Sequence, residues 1–208
     1  MRIGRAPRRR STRGGRALLL TAATVGCALA LSACDDGGKP SGSGGGNYVT
    51  GPSGISTVAK GERTEAPKLD GETVDGKTLD TTALKGKVVV LNVWGSWCPP
   101  CRAEAPNFAK VSKELADAGK DVAFVGINTR DNTKQNAAAF EENFQISYPS
   151  LYDPDGKLML RFPAGTLNPN AIPSTIVLDK QGKIAARTLA ALDEEHLRSM
   201  IDPLLAEQ

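Results

Sequence analysis

The chain has 208 residues, 40% hydrophobic and 24% charged, enough for one or at most two ordinary domains. Its formal charge of +3 hides a segregation: Arg2, Arg5, Arg8, Arg9, Arg10, Arg13 and Arg16 crowd the first 16 residues, and without these seven, 19 Lys and Arg face 23 Asp and Glu, a net of −4. A basic, phosphate-seeking surface is thus not a property of the rest, which argues against a nucleic-acid partner, and the single histidine, His196, removes most histidine-based metal sites and triads.

In chain order, residues 1–16 form a cationic start and residues 17–33 an uncharged apolar run of 17, too short for a comfortable membrane span and suited to a signal peptide. The stretch Leu31-Ser32-Ala33-Cys34 resembles the lipobox of bacterial lipoproteins. That resemblance implies cleavage after residue 33, a diacylglyceryl group on Cys34, and a lipid anchor at the extracytoplasmic face of the cell membrane. An uncleaved helix with an incidental Cys34 is the alternative, and it leaves the chain on the same side. Arg9-Arg10 offers a twin-arginine export signal, but Thr12 and Arg13 follow where apolar residues are needed. Residues 34–62, rich in Gly, Ser and Thr, read as a flexible tether; about 26 such residues reach on the order of 25–30 Å. Residues 63–208 remain as the folded domain.

Within that domain Asp75-Gly76 reads as a hairpin turn. Residues 87–94 form a continuous apolar run of the kind a buried, parallel strand shows. Gly95-Ser96-Trp97 breaks the run. From Cys98-Pro99-Pro100-Cys101 onward the spacing is helical, with Cys101, Ala105, Phe108, Val111 and Leu115 on one face, Pro106 set to kink the helix, and prolines tolerated in its first turn. Residues 121–128 read as the next buried strand and 133–144 as a helix. Residues 163–172 form a turn-rich loop, either a specificity loop or a solvated connector. Strands follow at 174–179 and 183–188, and a closing helix at 193–206 is capped by Asp193. Asp153-Pro154-Asp155-Gly156 lacks the further acidic ligands of a calcium loop and reads as a turn.

Four cysteines occur in all. Cys27 lies in the signal segment and Cys34 is assigned to the lipid, which leaves Cys98 and Cys101 without another thiol in the domain. A zinc site would need two more ligands, so no metal is expected and redox use of the pair is favoured. Cys98 falls at a helix N-terminus, where free N–H groups and the macrodipole favour a thiolate; Cys101, one turn in and more shielded, is placed to resolve a mixed disulfide.

Trp97-Cys98-Pro99-Pro100-Cys101 resembles the active site of thioredoxin-like proteins, and over residues 65–207 the chain is most similar to the membrane-tethered TlpA/ResA/CcmG group within the wider redoxin superfamily. The resemblance implies an α/β thioredoxin-like fold, a central mixed β-sheet flanked by helices with an N-terminal β-hairpin extension. Ile172-Pro173 resembles the superfamily's cis-proline, which presents backbone to an extended substrate beside the dithiol; its alternative is a trans-proline opening a strand. Glu104 matches the glutamate of the group's Cys-x-x-Cys-x-x-Glu pattern and implies a proton acceptor for Cys101, against a plain surface Glu in the first helical turn. Asn92 stands where cytosolic thioredoxin carries a buried aspartate and cannot titrate. Trp97 is expected to pack beside Cys98, and Trp94 to be core.

The function expected is extracytoplasmic thiol-disulfide exchange through Cys98 and Cys101, with no cofactor beyond that redox-active disulfide. Its partners are protein disulfides or dithiols and a transmembrane thiol electron donor, and the resemblance suggests reduction of exported proteins, as in cytochrome c maturation. Three alternatives stay open: a disulfide-forming oxidase, a peroxiredoxin-type thiol peroxidase, and a non-catalytic lipoprotein binding module. The peroxidatic Pro-x-x-x-Thr/Ser-x-x-Cys pattern is absent, since Val-Trp-Gly-Ser-Trp precedes Cys98.

Overall fold

Every residue of Val88–Trp94 is buried, so this strand must have neighbours on both edges and packing on both faces. The computed structural model describes residues 47–207; the signal segment and Cys34 lie outside the described residues. In chain order come β1 (Val49–Thr50), β2 (Ser56–Thr57), β3 (Asp70–Glu72), β4 (Thr78–Asp80), β5 (Val88–Trp94), α1 (Pro99–Asp117), β6 (Val122–Thr129), α2 (Lys134–Phe144), β7 (Ser150–Asp153), β8 (Ser174–Leu178), β9 (Ile184–Thr188) and α3 (Glu194–Ala206). Seven strands make one mixed sheet in the order β1-β2-β9-β8-β5-β6-β7, while β3 and β4 form a separate hairpin. β5 pairs parallel with β6 and antiparallel with β8, and β6 pairs parallel with β7. This is the mixed α/β architecture expected of a thioredoxin-like domain with its hairpin extension.

The two-residue period of β5 sorts its side chains into two cores. Val88 and Val90 pack with Phe108, Val111 and Leu115 of α1 and Leu197 and Ile201 of α3. Val89, Leu91 and Val93 face the opposite side, with Ile127, Leu151, Ile176 and Leu69. Asn92 and Trp94 share the face of Val88 and Val90, which sends the one polar residue of the strand toward α1. Thr133 and Asp193 cap α2 and α3 by accepting from Asn136 N at 3.3 Å and His196 N at 2.8 Å. Pro106 lies inside α1 without ending it. The hairpin turns at Gly76, whose φ of +84° suits a residue without Cβ. Among the described residues no helix is long and apolar enough to cross a membrane.

Two features depart from the sequence reading. Residues 47–62, read as the end of a tether, belong to the folded unit. β2 pairs with β9 and extends the sheet, Ile55 and Val58 are buried, and the Tyr48 ring lies under the Arg187 guanidinium at 4.0 Å. Composition misled here because three buried apolar residues among Gly, Ser and Thr suffice to pin a short segment to an open sheet edge. β7 was also not foreseen, since its four residues lack a periodic pattern of their own and are set by pairing with β6. Arg63, at the expected domain boundary, is half-buried with its side chain covered, and bridges Asp179 at 3.1 Å and Glu207 at 2.7 Å, tying the chain's entry to the β8–β9 turn and the end of α3.

Gly126, in the middle of β6, is required by packing. A Cβ there would meet Ser150 Oγ at 2.1 Å and Trp94 Nε1 at 2.6 Å, the two atoms joined by a 3.3 Å hydrogen bond from the indole. Gly126→Ala is therefore expected to cost about 1–3 kcal/mol of unfolding free energy, read by urea denaturation, because either the Trp94–Ser150 bond or the β6–β7 pairing must shift.

Candidate active site

β5 ends at Trp94, and the turn Gly95-Ser96-Trp97 delivers Cys98 to the N-terminal cap of α1. Pro99 and Pro100 occupy the first positions of the helix, where the missing N–H groups have no acceptor to lose. Cys98 and Cys101 are joined by a disulfide, with their Cα atoms 5.3 Å apart. Cys98 Sγ accepts from Cys101 N at 3.2 Å, so the sulfur sits in the positive end of the helix dipole, an arrangement that favours a thiolate once the bond opens. Ile172 O lies 3.8 Å from the same sulfur, and the Ile172–Pro173 bond that follows is cis. The loop before it is not a solvated connector throughout: Thr166 is buried, and Leu167 and Ile172 pack against the core.

The expected difference in shielding between the two cysteines is absent: Cys98 is 2% and Cys101 1% exposed. Both lie in a small apolar cluster with Trp94, Ala105 and Phe140, and Trp94 stacks on Phe140 at 4.3 Å between ring centres. Pro99 and Pro100 are exposed beside them. Trp97 is 49% exposed; its ring folds back over Gly95, where a Cβ would stand 2.7 Å from Nε1, and carries the Arg130 guanidinium at 5.0 Å.

Glu104 is neither on the surface nor free. It lies one turn beyond Cys101 on the buried face of α1, 1% exposed, accepting from Asn92 Nδ2 at 2.8 Å on one oxygen and Leu192 N at 3.0 Å on the other. Asn92 also donates to Thr175 Oγ1 at 3.3 Å, from the residue directly opposite it on β8. Burial pushes the Glu104 carboxyl up to about 7, against the opposing pull of these two hydrogen bonds.

A second polar group holds the turn before Cys98 from the other side, and sequence reading missed it. Asp131, buried just past β6, accepts from Ser96 N at 2.9 Å, Ser96 Oγ at 2.5 Å and Asn128 Nδ2 at 2.6 Å, while Tyr152 Oη donates to its carbonyl at 3.0 Å. The available signal was a pair of polar residues, Asn128 and Asp131, at the C-terminal end of an otherwise apolar parallel strand, where α/β sheets place their sites. Thr175 and the Leu192 backbone were likewise invisible, because each acts by position.

With this geometry in view, residues 59–202 match the family described as Redoxin. The chain belongs to the redoxin family. It is 30% identical to the thiol:disulfide interchange protein HelX of Rhodobacter capsulatus, over 74% of this chain and 82% of that one. Among solved structures, a DsbF homologue from Corynebacterium diphtheriae is 36% identical with a TM-score of 0.67, covering 75% of this chain and 96% of its own. A secreted thiol-disulfide isomerase from Corynebacterium glutamicum is 31% identical with a TM-score of 0.69, covering 76% and 97%. This redoxin is accordingly a thioredoxin-like thiol-disulfide oxidoreductase.

Because the folded carboxyl value of Glu104 lies above its ordinary value near 4.5, the folded redoxin holds that proton more tightly than the unfolded chain. The resulting stabilisation is complete below about pH 4.5 and is lost as pH rises through about 7, by about 3 kcal/mol. Glu104→Gln removes this contribution. Between pH 5 and pH 8 the wild-type stability, from urea unfolding, is expected to fall by about 2 kcal/mol more than that of the variant, while Glu141, also raised to about 7, contributes equally to both. Equal losses would contradict a burial-raised Glu104.

Proposed function

We propose that Cys98 and Cys101 are the redox pair of this redoxin, that it reduces disulfides in exported proteins, and that it does so on the extracytoplasmic face of a membrane. The observation that carries the reading is the position of Cys98 Sγ: at the N-terminus of α1, bonded to Cys101, and 3.8 Å from Ile172 O ahead of the cis-Pro173. An extended partner segment laid against that backbone brings its sulfur to Cys98.

In the reduced protein the Cys98 thiolate attacks one sulfur of the partner disulfide, and the other partner sulfur leaves as a thiolate. Cys101 then gives up its proton and attacks Cys98 Sγ, expelling the second partner sulfur and closing the Cys98–Cys101 disulfide. Two electrons pass to the partner. Glu104 is the proton acceptor in this reading: it lies one turn from Cys101, and a carboxyl near 7 is half ionised at neutral pH, which suits a base that must also return the proton. Asn92 orients it through the 2.8 Å bond, and Trp97, Pro99 and Pro100 form the exposed rim. A transmembrane thiol donor restores the dithiol.

The anchor is the lipid on Cys34, supported by the lipobox-like Leu31-Ser32-Ala33-Cys34. The secreted character named for the Corynebacterium glutamicum relative supports the extracytoplasmic placement. Apocytochrome c, with its paired haem-attaching cysteines, is a substrate that the resemblance to the tethered group suggests.

Two measurements test these assignments. Cys98→Ser is expected to abolish reduction of a protein disulfide, whereas Cys101→Ser is expected to accumulate a covalent mixed disulfide visible by mass spectrometry; the reverse pattern would exchange the two roles. The reduction potential of the pair, from thiol trapping in defined redox buffers, is expected near or below about −270 mV for a reductant. A value near about −120 mV would mean an oxidase instead.

A further inference from the structure

We propose that the rim of the dithiol formed by Arg130, Trp97 and Arg102 is a docking surface for an acidic segment of the partner, so that the preferred substrate carries carboxylates beside its reactive cysteine. The inference rests on Cys98 being the group the partner must reach.

Cys98 is nearly closed off, so a partner must seat on what surrounds it, and Trp97 is the large exposed ring adjacent in the chain. The Arg130 guanidinium lies over that ring at 5.0 Å and is itself exposed. Arg102, also exposed, donates to Ser96 O at 3.3 Å and stacks on Phe144 at 5.2 Å. A guanidinium stacked on an aromatic face keeps its N–H edge free, and that edge matches a carboxylate bidentately.

Neither charge is compensated within the domain. Of the described arginines, Arg63, Arg161 and Arg198 each have a carboxylate within 4.0 Å and Arg187 donates to the Gly165 and Thr166 carbonyls, whereas no carboxylate pair involves Arg102 or Arg130. The adjacent acid, Asp131, is buried with both oxygens taken by Ser96 and Asn128, and Glu104 is occupied by Asn92 and Leu192. Lys134, near the start of α2, is held by Glu72. A chain that is net acidic after its first 16 residues thus leaves, among the described residues, two arginines without a carboxylate partner at the mouth of the dithiol, while Arg187 is taken up by the Gly165 and Thr166 carbonyls and the Tyr48 ring.

Arg130 also sits where the backbone favours another residue. Its φ is +57°, a left-handed conformation that costs a side chain with Cβ about 1–2 kcal/mol and that Gly or Asn takes more cheaply. The chain keeps a long cation there, aimed over Trp97. Charge complementarity of this kind acts mainly on encounter and on selection between partners.

The test uses the full chain, reduced beforehand, and three synthetic peptides. Each holds one cysteine in a mixed disulfide and they differ only in the residues flanking it: Glu, Gln or Lys. Rates from stopped-flow tryptophan fluorescence are divided by the rate at which dithiothreitol reduces the same peptide. At low ionic strength the Glu peptide is expected to react about tenfold faster than the Lys peptide, with Gln between them and the contrast collapsing at high salt. The Glu-to-Lys ratio, read within each protein, is expected to fall in Arg130→Gln and to survive in Arg130→Lys. Equal rates, a preference for Lys, or a ratio unchanged in Arg130→Gln overturns the proposal. Failure to reduce any of the three peptides overturns the redox-pair reading and the docking surface with it.

Discussion

The burial of β5 on both edges and both faces is the constraint from which the rest follows. A strand so enclosed can hold only one register, because a slip of one residue would turn Asn92 into the opposite core and Leu91 toward α1. Its pairing with β6 and β8 fixes where the strand ends, hence where the turn to Cys98 begins and where the axis of α1 starts. The two sulfurs are placed by a chain of rigid elements, with little left to the loop itself.

That placement is then held by two polar networks of different character. On the α1 side Asn92, Glu104 and Leu192 form a buried set in which one member can gain or lose a proton near neutrality. On the β6 side Asp131, Ser96 and Asn128 spend both carboxylate oxygens on holding the turn. The same chemical group thus stands in two conditions: a carboxyl met by few donors in an apolar setting is pushed toward neutrality, and one saturated by donors acts as a strut.

Much of this was legible in the chain. The apolar run 87–94, the Cys98–Cys101 spacing at a helix start and the glycine turn at Asp75-Gly76 each carry a local signal with a direct physical cause, and each stands where it was read. Glu104 was legible as a residue of interest, but its burial was not: the side chain points inward because Asn92 and the Leu192 amide, twelve and 88 positions away, offer it donors. Asp131 and Arg187 were silent for the same reason, their partners being set by tertiary structure. The segment 47–62 was misread because a Gly- and Ser-rich composition describes what a segment cannot bury by itself. It says nothing of an open strand edge waiting to pair with it.

That edge has a mechanical consequence. β1 is held to β2, and β2 to β9, by two residue pairs each, whereas β5 and β6 share seven. Tension applied at residue 47 would peel the short pairs one after another while the long ones stayed intact. The first contact in its path is the Tyr48 ring on Arg187, the residue whose guanidinium also grips the Gly165 and Thr166 carbonyls in the loop that leads to Pro173. A pull on the N-terminal end of the domain would therefore slacken the loop before Pro173 while leaving the disulfide and its helix unstrained, making this corner the compliant hinge of an otherwise stiff body.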